Sequence, residues 1–273
     1  MHDKLLRSAL FVPAIRPDRL PKALASGADV VIVDLEDSVP PEEKATARRH
    51  LADFAAAHPG ERFMVRINDG TTRWFDQDLA LCRELPNVVA IVLPKAEAAR
   101  HVHIVSGAGK PLIPVIESAR GLRNLDGIAG AAGVWRLSFG FLDLILEFGT
   151  RPGTEGAMRV LDQVRYQILL HSSMNGLPPP LDAVYPDFTD LDGLASRVAV
   201  ARDMGYGGML CIHPRQVPVV HEAFLPSAKE LDWAQRVVAE ADRTGSQAFR
   251  LDGWMVDLPL IERARRLLAR GSQ

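Results

Sequence analysis

Two cysteines in 273 residues leave no disulfide framework to read. Cys82 and Cys211 stand apart among apolar neighbours, the setting of buried free thiols in a reducing compartment. No run of about 18 apolar residues occurs, so no spanning helix is expected. An excess of charge of one sign is missing too: 32 Lys and Arg face 34 Asp and Glu, for a formal net charge of -2. That balance offers no electrostatic attraction to nucleic acid or an anionic membrane. Met1 to Arg7 is charged and meets Pro13 too soon for a signal peptide. The expectation is a soluble, cytoplasmic protein.

Several chemical signatures are absent as well. No glycine-rich fingerprint follows the first apolar run, which argues against a nicotinamide cofactor. There is no P-loop, no Gly-x-Ser-x-Gly elbow and no histidine pair in a zincin arrangement. His101 and His103 lie two apart in a predicted helix, where side chains diverge, and read as surface residues. His213, ahead of Pro214, is open equally to a site role and to a structural hydrogen bond.

What the chain does have is a rhythm. Short β-branched runs end in a charged or polar group, then give way to helical stretches. The runs are Ser8 to Pro13, Ala28 to Leu35, Phe63 to Asn68, Val88 to Lys95, Leu112 to Glu117, Leu137 to Phe141, Leu181 to Tyr185 and Gly208 to His213. Continuous apolar runs suit strands buried on both faces of a parallel sheet. The helices expected between them are Arg16 to Ser26, one opening at Pro40-Pro41-Glu42-Glu43, Thr72 to Leu85, Ala96 to Ser106, Ala119 to Ala131, Glu155 to Asn175 and Asp190 to Met204. Eight such units favour an α/β fold closed as a (β/α)8 TIM barrel over residues 1–217. Residues 218–273 then form a C-terminal helical extension or lid, packing on the barrel or on a neighbouring subunit.

Active sites of such barrels lie at the C-terminal ends of the strands. Glu117 and Asp143 follow the fifth and sixth runs and are expected at one mouth. Two carboxylates there, with water and substrate oxygens, suit Mg2+; the plain alternative is a pair of salt-bridged strand ends. Arg66 ends the third run, where its fork can hold a carboxylate or carbonyl oxygen, or neutralise nearby acids. Lys95 stands at the next mouth position and can do the same, or help hold Glu36 or Asp37. Of the acids at the second run, Asp34, Glu36 and Asp37, one is expected to support the metal's water shell and the others to brace loops.

With these residues placed, longer stretches become legible. Arg7-Ser8-Ala9-Leu10-Phe11-Val12-Pro13, Asp34-Leu35-Glu36-Asp37-Ser38-Val39, Val65-Arg66-Ile67-Asn68, Leu93-Pro94-Lys95, Ile116-Glu117-Ser118-Ala119-Arg120-Gly121 and Cys211-Ile212-His213-Pro214 resemble the citrate lyase β-subunit-like (CitE-like) CoA-ester lyases. Asp252-Gly253-Trp254-Met255-Val256-Asp257 extends the match. Malyl-CoA and citramalyl-CoA lyases share the pattern, and the HpcH/HpaI aldolases are more distant relatives.

The resemblance implies a trimer of barrels with Mg2+ on Glu117 and Asp143. It implies catalytic roles for Arg66 and Asp257, the latter as an acid/base group entering a neighbouring subunit's site, and Glu36 of the acid cluster is expected to be catalytic beside them. Phe11, Arg16 and Lys22 fall where relatives contact CoA, and Lys95, Arg66 and Glu117 count among the substrate-binding positions. Phe141-Leu142 departs from the family, where a small residue and an acid often precede the aspartate. Arg165 is kept, whereas the tyrosine usual nearby is not. The implied reaction cleaves a citryl-, citramalyl- or malyl-CoA type thioester to acetyl-CoA and a 2-oxo acid. An aldolase on free 2-oxo acids, a subunit acting on an acyl-carrier-protein thioester and a non-catalytic homologue are the alternatives.

Overall fold

The structure is a computed structural model that describes residues 6–271. These residues divide into two compact units, one running to His221 and the other starting at Glu222.

The first unit is a barrel. Its strands are β1 (Ser8–Pro13), β2 (Val30–Asp34), β3 (Phe63–Arg66), β4 (Val88–Leu93), β5 (Leu112–Ile116), β6 (Ser138–Phe139), β7 (Leu181–Asp182) and β8 (Gly208–Cys211). They lie in the order β6-β5-β4-β3-β2-β1-β8-β7, and every pairing is parallel. The two ends of that order meet: the Leu181 amide donates to the Leu137 carbonyl at 3.0 Å. The barrel is thereby nearly closed, which leaves little of its edge for another chain to pair with. Ala9, Ile32, Met64, Val92, Val115 and Leu210 fill the interior, because alternate residues of a strand face the same side.

All eight expected strands are present, though most stop short of their expected C-terminal ends. The fourth is an example. It ends at Leu93, since Pro94 has no N–H to give the ladder and Lys95 turns to a φ of 48°. The sixth differs more. Only Ser138 and Phe139 are in the sheet, and Phe141–Phe148 is a helix with Gly140 as its N-cap. Phe141, Leu144 and Ile145 supply the buried face of that helix, so Phe141, read as the end of the strand, opens a helix instead. Asp143 therefore sits in a first helical turn and not on a strand end. The helix expected over Ala119 to Ala131 is two short ones, Ala119–Arg123 and Leu125–Ala129, meeting at Asn124.

The second unit holds two helices, Ala228–Thr244 and Leu258–Gly271, with a hairpin between them. Ser227 and Glu230 form a capping box at the start of the first helix, and Gly245 ends it at a φ of 64°. The hairpin pairs β9 (Ala248–Leu251) with β10 (Trp254–Asp257) through Asp252 and Gly253, at φ values of 51° and 83°. Positive φ at both turn positions matches the strands' twist, which is why Asp-Gly serves here. Ala234, Val237, Ala241, Val256, Ile261 and Ala264 make the core of this unit. Among the described residues no helix is long and apolar enough to cross a membrane. Cys82 and Cys211 are buried and unbridged, as expected.

Candidate active site

A cavity of about 300 Å³ opens at the C-terminal ends of the barrel strands. Its charged side is organised by Asp34, the last residue of β2, which is 1% exposed. Arg66, at the end of β3, donates to it twice, from Nε and Nη2, both at 2.7 Å. Asp34 also accepts from the Glu36 amide at 2.9 Å and from the Ser38 amide and hydroxyl at 3.1 and 2.5 Å. Burial pushes this carboxyl up, but the Arg66 charge and these donors outweigh it and hold Asp34 below the usual range.

The backbone that presents Glu36 is held from below. Lys44 is buried and donates from Nζ to the carbonyls of Leu35 and Glu36 at 2.8 and 2.7 Å. Asn68 adds a bond from Nδ2 to the Leu35 carbonyl at 3.0 Å. Glu36 pairs through Oε1 with the Lys95 ammonium. Its other oxygen, buried, lies 3.1 Å from Arg66 Nη1 without the alignment of a hydrogen bond. Burial, ahead of the favourable Arg66 and Lys95 charges, raises the Glu36 carboxyl. Asp37 is exposed, 3.5 Å from Arg66 Nη1 and 3.7 Å from Lys95 Nζ. The Arg66 guanidinium carbon lies 4.7 Å from the centre of the Phe11 ring.

Glu117 follows β5 and is 8% exposed. Lys95 donates its amide to Glu117 Oε2 at 3.1 Å, the contact that its left-handed backbone makes possible. Such strained non-glycine conformations gather at functional sites. Gly140 comes so near that a Cβ there would lie 2.4 Å from Glu117 Cγ. Burial, then the negative charges of Glu36 and Asp143, push the Glu117 carboxyl up to about 8. Glu117 and Asp143 both line the cavity.

This pair is short of positive charge. Among the described residues no group of three or more His, Cys, Asp or Glu side chains forms a ready ligand shell. Two carboxylates with room for water and substrate oxygens nevertheless fit a hard divalent ion that keeps part of its hydration.

The structure thus brings together Phe11, Glu36, Arg66, Lys95, Glu117 and Asp143. Arg16 and Lys22 are exposed outside the cavity lining, with Arg16 paired to Asp18 at 3.0 Å. Asp257 ends β10 in the second unit and is exposed. Sequence reading passed over Lys44, Ser38 and Gly140. Lys44 follows the helix opening at Pro40-Pro41-Glu42-Glu43, and its buried contacts with backbone carbonyls carry no periodic signal.

Comparison with known proteins bears on these residues. The family model described as HpcH/HpaI aldolase/citrate lyase matches residues 7–214. A citrate lyase subunit beta-like protein of Mycobacterium tuberculosis is 40% identical over 267 residues, 97% of this chain and 95% of that protein. A (3S)-malyl-CoA thioesterase of Cereibacter sphaeroides is 35% identical over 272 residues, 97% of this chain and 94% of the relative. Among solved structures, CitE from Mycobacterium tuberculosis in complex with magnesium, acetoacetate and coenzyme A superposes with a TM-score of 0.87 at 38% identity, covering 98% of each chain.

Proposed function

This chain belongs to the HpcH/HpaI aldolase/citrate lyase family, and on that premise we propose that it is a Mg2+-dependent carbon–carbon lyase. It cleaves a 3-hydroxyacyl-CoA type thioester to acetyl-CoA and a 2-oxo acid. The observation that carries the reading is the convergence on one cavity of Glu117, Asp143 and an Arg66 locked by Asp34. The CitE structure with magnesium, acetoacetate and coenzyme A supports the choice of ion and of substrate class.

Glu117 and Asp143 would hold the ion, which would supply Lewis acidity at the oxo-acid half of the substrate. Asp257, from a neighbouring copy in a homotrimer, removes the hydroxyl proton, a step worth about 10²–10⁴-fold. The carbon–carbon bond then breaks and its electrons pass into the thioester as an enolate. Arg66, pre-set by Asp34, faces the oxygen where that charge grows, so no reorientation is needed during reaction. Lys95 pairs with Glu36 beside Arg66 and offsets part of the burial that raises the Glu36 carboxyl. Phe11 packs the thioester arm, and the exposed Arg16 and Lys22 meet the phosphates of CoA, which extend beyond the cavity. The enzyme acts in the cytoplasm, where Cys82 and Cys211 stay reduced.

Acetyl-CoA release from malyl-, citramalyl- and citryl-CoA, each with Mg2+ and with excess EDTA, tests this reading. Cleavage that needs metal supports it. Cleavage unaffected by EDTA, or full activity in Glu117→Ala, overturns it.

A further inference from the structure

Glu147 sits where its own helix disfavours an anion. It lies in the last turn of the helix Phe141–Phe148, near the negative end of the helix dipole. It is also one turn beyond Asp143, so two acids share a face and repel. Its compensation comes from another element. The Ala119 amide, at the first residue of the helix Ala119–Arg123, donates to Glu147 Oε2 at 2.9 Å. Amides of a first helical turn have no acceptor within their own helix, so this one needs an outside oxygen. The neighbouring Ser118 hydroxyl is already used, donating to Glu97 at 2.8 Å and accepting from the Gly121 amide at 3.1 Å.

Where this bond lies matters more than its strength. The same helix is tied at its other end by Gly140, its N-cap, whose amide donates to the Ile116 carbonyl at 2.9 Å. Ile116 comes just before Glu117, and Ala119 comes just after Ser118. The two bonds therefore straddle Glu117 on one segment and Asp143 on the other. A helix held at both ends keeps Asp143 at one setting relative to Glu117. The Gly140 bond is made by backbone alone, whereas the second depends on the Glu147 side chain.

We propose that Glu147 is a positioning residue: by holding the Ala119 amide it fixes the spacing of Glu117 and Asp143, and through that spacing the preference for a small divalent cation. The inference rests on the metal reading of the same site. Mg2+ demands near-ideal octahedral geometry with oxygens at about 2.0–2.1 Å, whereas Ca2+ accepts about 2.3–2.6 Å and flexible arrangements. Loosening the pair of carboxylates therefore weakens Mg2+ more than Ca2+. Loss of a nearby negative charge, by contrast, weakens both divalent ions alike.

The test is calorimetric titration of the full chain with Mg2+ and with Ca2+, for the parent, Glu147→Ala and Glu147→Gln. Glutamine keeps an oxygen to accept from Ala119 but removes the charge, and alanine removes both. Glu147→Ala is expected to bind Mg2+ about tenfold more weakly, the lower end of what disturbing a ligand's support does, with a smaller fall for Ca2+. Glu147→Gln is expected to lose less, by the same factor for both ions, and to keep the parent's ratio of Mg2+ to Ca2+ affinity. Hydrogen–deuterium exchange over residues 117–121 reads the bond itself, and should quicken in Glu147→Ala but not in Glu147→Gln. Glu147 is exposed, so circular dichroism should show all three proteins folded. Alanine and glutamine variants alike in Mg2+ affinity, or Mg2+ and Ca2+ weakened in parallel by Glu147→Ala, overturn the proposal. A parent that binds no Mg2+ fails the metal reading and takes the proposal with it. Mg2+ binding in the parent that Glu147→Ala leaves unchanged fails the proposal alone.

Discussion

Asp34 and Arg66 meet through two bonds of 2.7 Å, and Asp34 spends its remaining acceptor capacity on Glu36 and Ser38. One buried carboxylate therefore sets both the arginine and the loop that carries the neighbouring acids. Removing one partner of such a pair strands the other charge, at a cost of about 3–5 kcal/mol. Asp34→Ala is expected to lose that much in urea denaturation. Arg66→Lys keeps the charge but loses the planar fork, and its kcat should fall about 10²–10³-fold. An Asp34→Ala protein within about 1 kcal/mol of the parent would show that the pair is not central to the fold.

The raised Glu117 carboxyl predicts a pH dependence with a definite sign. The unfolded chain releases this proton near 4.5, whereas the folded, metal-free protein keeps it to about 8. Rising pH across that window takes stability away, and above about 8 the loss is complete. Mg2+ needs the carboxylate, so its affinity should climb with pH up to about 8 and then level off. Melting of EDTA-treated protein from about pH 5 to about pH 9 checks this, because Glu117→Gln should gain stability relative to the parent as pH rises. A parallel pair of melting curves would contradict it.

Gly140 is needed for its lack of a side chain. An added Cβ would fall 2.4 Å from Glu117 Cγ and 2.7 Å from Oε1, so the carboxylate must move. Gly140→Ala is expected to weaken Mg2+ binding about 10–100-fold while the barrel stays folded, the scale seen when a ligand's support is disturbed. Calorimetric titration with Mg2+ and far-ultraviolet circular dichroism separate the two effects. Unchanged affinity would mean that Glu117 does not hold the ion in the position seen here.

Asp257 is exposed at the end of β10, and the proposed acid/base role in a neighbouring subunit can be tested on it directly. Asp257→Asn should lower kcat about 10²–10⁴-fold and leave Mg2+ binding unchanged. Mixing it with Glu117→Gln under conditions of subunit exchange distinguishes action within one chain from action between chains. Recovered activity is expected, since some mouths would then combine an intact Glu117 with an intact Asp257. A mixture as inactive as its parts would place the acid/base group in its own chain.

The alternation of buried strands and helices was legible in the sequence because periodicity and turn residues are local properties. Eight apolar runs, four of them leading into Glu36, Arg66, Lys95 and Glu117, were enough to call the barrel and to place those four residues at one end. Order along the chain also made the family resemblance readable. The hairpin was missed, although Asp252-Gly253 is a hairpin signal, since its flanking strands are only four residues each. The helix carrying Asp143 was missed because a short apolar run fits a strand and a helix equally well.

Charge state and engagement belonged to the tertiary structure. Lys95 and Glu36 are 59 positions apart, and Arg66 and Asp34 are 32 apart. No local pattern says that these pairs meet, or that Lys44 turns inward to hold two carbonyls. Glu117 is an ordinary carboxyl in the sequence. It becomes a proton-retaining one only when closure of the sheet buries it beside Glu36 and Asp143. Sequence determined which groups reach the mouth of the barrel, because strand period and strand ends follow from local residue order. Folding decided which of them are paired and which are left short of charge, because burial and neighbouring charge arise only when distant segments pack.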